Sequence, residues 1–157
     1  MLRVVSVLPP DHAQGTPFDL VVLEHDERRM RRKMLRLMHG DEILVDFPQT
    51  ITLEDRQVLK LEDGRLVEVI AAEELLYEVR GRDGEHLLRL AWHIGNRHTP
   101  AQMEKDRILI KRDHVLKTML EGLGATVTNV SEPFSAEHGA YHSHSHGDGG
   151  HALLNRK

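Results

Sequence analysis

The spacing of apolar residues changes character near Ala71-Ala72, and no other feature limits the fold as much. Before that point, short apolar stretches recur over 3–8, 18–23, 34–38, 43–46, 57–60 and 66–70. Pro9-Pro10, His39-Gly40-Asp41, Phe47-Pro48 and Asp63-Gly64 stand between them as breaks, the signature of short strands separated by turns. Asp63-Gly64 between two apolar runs predicts a hairpin with a two-residue turn. Beyond Ala72, Leu75 to Val79 reads as a strand, and Leu87, Leu88, Ala91 and Ile94 fall at helical spacing up to Gly95-Asn96. Strands are expected over 101–104 and 107–111. Asp113 stands in an N-cap position before Val115, Leu116, Met119 and Leu120, and 125–130 alternates as a last strand. The expected class is α+β: an N-terminal all-β domain (1–71), a ferredoxin-like βαββαβ domain (72–136) and a disordered His-rich tail (137–157).

Composition narrows the chemistry. The chain of 157 residues has no cysteine, which removes disulfides, thiolate nucleophiles, zinc–thiolate sites and iron–sulfur clusters. It has 12 histidines, so a transition metal held here is held by imidazole and carboxylate. A net charge of −4 argues against a chain built to coat nucleic acid. No apolar run approaches the ~20 residues of a membrane-spanning helix. The stretch from Met1 to Pro9 lacks the apolar core of a secretory signal, so a cytoplasmic location is expected.

Histidines concentrate at the C-terminal end, where His142, His144 and His146 alternate with serine and His151 follows. Gly, Ser and His leave this stretch little to bury, and an extended backbone lets several imidazoles wrap one ion. Imidazole suits Ni, Cu(II), Zn and Co, and it must be neutral to bind, so affinity falls as pH drops through about 6.5. Inside the second domain, His98 lies in a loop stiffened by Pro100, and His93 lies on the preceding helix. One imidazole is too weak a site unless a two-fold axis brings a second copy to it. His114 opens the next helix, with Asp113 either capping that helix or orienting an imidazole. The block Glu27 to Arg36 is locally basic and suits RNA, an acidic partner or, as the favoured reading, a solvated strand face. Met30, Met34 and Met38 fit core packing. No phosphate loop, nucleophile elbow or paired-carboxylate motif is present, and no enzyme is expected.

Gly95-Asn96-Arg97-His98, with Asp113-His114-Val115-Leu116 and the downstream Met119-Leu120, Gly122 and Gly124, resembles the UreE family of urease accessory proteins. Asp46-Phe47-Pro48, Leu61-Glu62-Asp63-Gly64 and the His-rich end fit the same family. The resemblance implies a nickel metallochaperone that donates Ni²⁺ during assembly of the urease metallocentre. It implies a homodimer, with a peptide- or partner-binding first domain and a metal-binding second one. His98, paired with its copy across the interface, is then the principal ligand. His114 and the tail residues His142, His144, His146 and His151 are secondary ligands, and His93 and Asp113 are candidate supporting residues. Arg112 stands where some members place another histidine, which leaves His114 isolated. The implied partners are the urease apoprotein complex and its accessory proteins, including the maturation GTPase, with no nucleic acid and no membrane. Imidazole sites also accept Zn²⁺ and Cu²⁺ in vitro. Two other readings compete: a metal buffer working through the tail alone, and an interaction module in which the histidines are incidental.

Overall fold

The computed structural model describes residues 1–11 and 15–139. The chain divides into two compact units, Met1–Ala71 and Ala72–Glu137, with 138 and 139 grouped with the first. Tail residues His142, His144, His146 and His151, and the expectation of disorder there, lie outside the described residues.

The first unit is built from β1 (Leu2–Leu8), β2 (Asp19–Leu23), β3 (Arg29–Arg36), β4 (Glu42–Thr52), β5 (Val58–Leu61) and β6 (Leu66–Ala71), with a 3-10 turn over Asp26–Arg28. They form one curled sheet in the order β2-β6-β5-β1-β4-β3. Its two ends approach where Met38 N–H bonds Leu20 O at 2.9 Å. Alternation places Val21, Leu23, Ile43, Val45, Val67 and Val69 on the inner face, where they form a core with Leu35, Leu59 and Leu61. A hairpin forms at Asp63-Gly64, but its loop has three residues, 62–64, and not the two expected: Leu61 N–H bonds Arg65 O, and Gly64, at φ +92, takes the left-handed position that a glycine reaches without strain and bonds Leu61 O through its N–H.

Two further expectations about this unit are corrected. Phe47-Pro48 does not end a strand, because β4 continues through it to Thr52. Pairing jumps from Met30↔Ile51 to Arg32↔Asp46, so residues 47–50 bulge opposite Arg31, and Pro48 sits where no ladder donor is needed. The same slip changes which side chains face inward. Met30 is buried ahead of the bulge and Leu35 beyond it, so Met34 (51% exposed) and Met38 (59%) are surface residues and only Met30 packs in the core.

The second unit runs β7 (Glu73–Arg80), α1 (Gly84–Asn96), β8 (Ala101–Met103), β9 (Ile108–Lys111), α2 (His114–Gly122) and β10 (Thr126–Pro133). Its antiparallel sheet has the order β10-β7-β9-β8, the split βαβ arrangement of ferredoxin-like folds. Leu87, Leu90 and Ile94 of α1 and Leu116 and Leu120 of α2 pack with Tyr77, Val79, Ile108 and Ile110 of the sheet. The chain after β10 covers the opposite face, where Phe134 and Ala136 pack on Leu76 and Leu109. Glu137 N–H there bonds Ala101 O at 2.7 Å. No helix among the described residues is long and apolar enough to cross a membrane.

Beside that second cluster, Arg107 binds Glu132 at 2.7 Å, Glu104 at 2.8 Å and Glu78 at 3.0 Å, tying β9 to both β7 and β10. Hydrogen bonds to Glu132 and Glu104 push the Arg107 pKa up. Hydrogen bonding from Arg80, and then from Arg107, holds Glu78 below the ordinary glutamate value of 4.5, and Arg107 does the same for Glu132. Because the folded carboxylates bind protons more weakly than unfolded ones, their contribution is complete above about pH 4.5. It declines as pH falls through the lowered folded values. Arg107→Ala is expected to cost about 1–2 kcal/mol at pH 7, a range that allows for solvent screening. The gap from wild type should narrow below about pH 4.5. Urea unfolding read by Trp92, the single tryptophan, measures both, and a gap independent of pH would contradict the network's role.

Candidate metal site

Helix α1 starts where the Asp83 side chain accepts the His86 N–H at 2.8 Å, an N-cap. Its buried stripe is His86, Leu87, Leu90 and Ile94. Leu88, expected in the core, is 72% exposed and shares an outward face with Trp92 (65%), one turn on. With Glu85, Arg89 and His93 these two line a shallow groove. His93 is half-buried and meets the Trp92 ring edge-on, centroids 5.1 Å apart.

The helix closes at Gly95-Asn96, as the spacing predicts. Arg97 N–H bonds Ile94 O, His98 N–H bonds Gly95 O at 2.9 Å, and His98 itself has φ +57. This is the left-handed residue that closes many helices, a place usually taken by glycine or asparagine. A side chain there costs about 1–2 kcal/mol. Only Arg56 among the other described non-glycine residues also has positive φ. Two residues later Pro100 leads into β8 and restricts Thr99, so the chain that leaves His98 is stiffened. The imidazole is exposed and has no hydrogen bond or ion pair among the described residues. The end of α1 also carries the partial negative charge of its unbonded carbonyls, which favours a cation there.

His114 is the first residue of α2 and is exposed. Asp113 is the N-cap: its Oδ1 accepts the N–H of Val115 at 2.9 Å and of Leu116 at 3.1 Å. Arg112 is anchored on the sheet, donating from Nε to Leu76 O and from Nη2 to Val130 O, both at 3.1 Å. Among the described residues, no three His, Asp or Glu side chains gather closely enough to hold a metal ion. The body of one chain therefore displays His98, His93 and His114 without uniting them.

Two histidines with structural work were not singled out by sequence. His86 is buried and spans the second unit: Nδ1 accepts Arg82 N–H at 2.9 Å, and Nε2 lies 2.9 Å from Leu123 O, beyond α2. A carbonyl only accepts, so Nε2 carries the proton and both ring nitrogens are engaged. Gly124, at φ +91, packs there so tightly that a Cβ would come within 2.6 Å of Arg82 Nη1. In the first unit, His39 Nδ1 meets the fully buried carboxylate of Asp19 at 2.9 Å. Both contacts join residues distant in sequence, although Asp83 at a capping position hinted at the local half of the His86 arrangement.

Comparison with known proteins bears on this geometry. Residues 4–72 match the model of the UreE urease accessory protein N-terminal domain, and 74–155 match that of its C-terminal domain. The chain belongs to the UreE family. It is 51% identical over 152 residues to the urease accessory protein UreE of Rhizobium rhizogenes, covering 97% of this chain and 89% of that protein. It is 57% identical over 140 residues to the protein of the same name from Mesorhizobium japonicum, 88% and 71% of the two chains. With that from Rhizobium meliloti it shares 49% over 146 residues, 93% and 95%. The name describes an accessory to urease and not the urease enzyme.

In this UreE-family chain the left-handed imidazole is a testable conflict between local stability and display of a ligand. His98→Gly is expected to stabilise the second unit by roughly 0.5–1 kcal/mol, since glycine relieves the strain but loses more entropy on folding. Urea unfolding followed by Trp92 fluorescence measures it. A destabilised glycine variant would mean that the ring makes a stabilising contact.

Proposed function

We propose that this chain is a nickel metallochaperone, which binds Ni²⁺ as exchangeable cargo and donates it during assembly of the urease metallocentre. The observation that carries the reading is His98, an unbonded imidazole displayed on a strained backbone in a chain of a urease accessory family. One such ring supplies one lone pair, so the working form is a homodimer in which two copies of His98 converge on one ion. The exposed Leu88 and Trp92 on the same helix are apolar surface suited to such a contact. His114 and the tail residues His142, His144, His146 and His151 are secondary ligands that gather or pass on ions. His93 and Asp113 support the site, Asp113 by fixing the start of α2 beneath His114.

An all-imidazole and carboxylate set suits nickel, and it also takes Zn²⁺ or Cu²⁺ in vitro. The chain transfers an ion and catalyses no reaction. In this reading it acts in the cytoplasm, handing nickel to the urease apoprotein complex and its accessory proteins, including the maturation GTPase. The first unit docks such a partner, and the second holds the metal.

Calorimetric Ni²⁺ titration at neutral pH tests the proposal on the full chain, on His98→Ala and on a chain ending at Gly139, with the oligomeric state measured alongside. The expected result is one tight ion per two chains, lost in His98→Ala, and further weaker ions lost with the tail. Tight binding that survives His98→Ala would overturn it. Uptake abolished by truncation alone would favour a tail-based buffer.

A further inference from the structure

We propose that the outer edge of β3 is a docking site for an acidic, extended segment of a partner protein, which adds to the sheet as a further strand. The inference rests on the reading of the first unit as the part that docks a partner, and it is independent of nickel.

Strand β3 is the last in the sheet order, with β4 on one side only. Leu37 N–H bonds Asp41 O at the β3–β4 hairpin, which sets the phase of the ladder. Leu35/Ile43 and Lys33/Val45 are then the hydrogen-bonded pairs, and the backbone groups of Arg32, Met34 and Arg36 point away from β4. Met38, next in that series, bonds Leu20 O. The N–H and C=O groups of Arg32, Met34 and Arg36 have no such backbone partner among the described residues. They form a short open ladder of the kind to which extended peptides add.

Charge selects the occupant. Arg29, Arg31, Arg32, Lys33 and Arg36 put five cations on the strand, which carries no acid. Asp46 and Glu42 of β4 answer Arg32 at 3.0 Å and Arg36 at 3.2 Å, and Arg31 has no ion-pair partner among the described residues. Such an edge repels a second copy of itself, which blocks sheet-to-sheet self-association, and attracts an acidic strand. Met34 and Met38, both more than half exposed, offer adaptable apolar contact between the arginines. A nucleic acid would use the charge but not the open ladder, so the pairing geometry favours a polypeptide.

The test uses the full chain and a synthetic eight-residue peptide of alternating Glu and Val, followed by amide NMR. The expected result is shifts and slowed exchange at Arg32, Met34 and Arg36. Met34→Pro removes a donor that faces away from β4, keeps every charge, and is expected to weaken binding at least tenfold. Arg31→Glu should weaken it several-fold and reduce its salt dependence. On the wild-type chain, a peptide N-methylated at alternate residues should fail to bind, which tests the ladder without altering the protein. Equal binding of the methylated peptide, equal binding of a single-stranded oligonucleotide, or no shift at the three edge amides would each overturn the proposal. Nickel titration of Met34→Pro should match wild type, so loss of peptide binding is distinguishable from loss of the metal site.

Discussion

The way α1 ends governs where this chain displays the His98 imidazole. A helix leaves its last carbonyls unbonded; here His98 N–H returns to Gly95 O, and the left-handed backbone of residue 98 then turns the chain away from the helix. Asparagine or glycine would do this at lower cost. Because the buried stripe Leu87, Leu90 and Ile94 fixes the rotation of α1 on the sheet, and Pro100 restricts the exit into β8, the position of residue 98 is set by packing remote from it. The imidazole is held out by the fold, with no hydrogen bond or ion pair to its ring among the described residues.

That arrangement has a consequence for coordination. A divalent ion wants four to six donors, and the described part of one chain brings no three together. A closed cage within the chain would hold an ion tightly and release it slowly. A ligand shared between two copies, completed by water or by histidines from elsewhere in the chain, keeps positions open through which an acceptor can enter. On the proposed reading, the sparseness of the site is what makes transfer feasible. His86 supplies the contrast: the same side chain, buried with both ring nitrogens bonded, has no lone pair left to give and serves as a strut between the start of α1 and the loop after α2.

Much of the fold was legible because its signals are local. Turn residues marked the first six strands, helical spacing marked α1 and α2, and Asp113 declared its cap. What failed depended on contacts distant in sequence. The four-residue spacing of Met30, Met34 and Met38 suggested a common environment, but the bulge opposite Arg31 divides them between core and surface. Pro48 resembled a strand end because the same bulge was invisible. Leu88 has helical spacing that suits either of two faces, and only the sheet decides which is buried. His98 was legible as a residue just beyond the helix end, whereas its left-handed backbone was not, since that position is usually taken by glycine or asparagine. The bond from His86 to Leu123 spans 37 residues, and no local pattern announces it.

Arg112 shows how structural demands limit where ligands can be placed. The resemblance sets a histidine there in some relatives, next to His114. Here the guanidinium reaches two carbonyls on different strands, Leu76 O of β7 and Val130 O of β10, from the end of β9. An imidazole is too short, and has too few donors, to make both bonds. In this chain the residue before the α2 cap therefore braces the sheet, and no histidine adjoins His114 on that side of the cap. The exposed imidazoles of the second unit's described residues, His98 and His114, thus stand at helix ends, where a ring does not compete with the sheet for the same position.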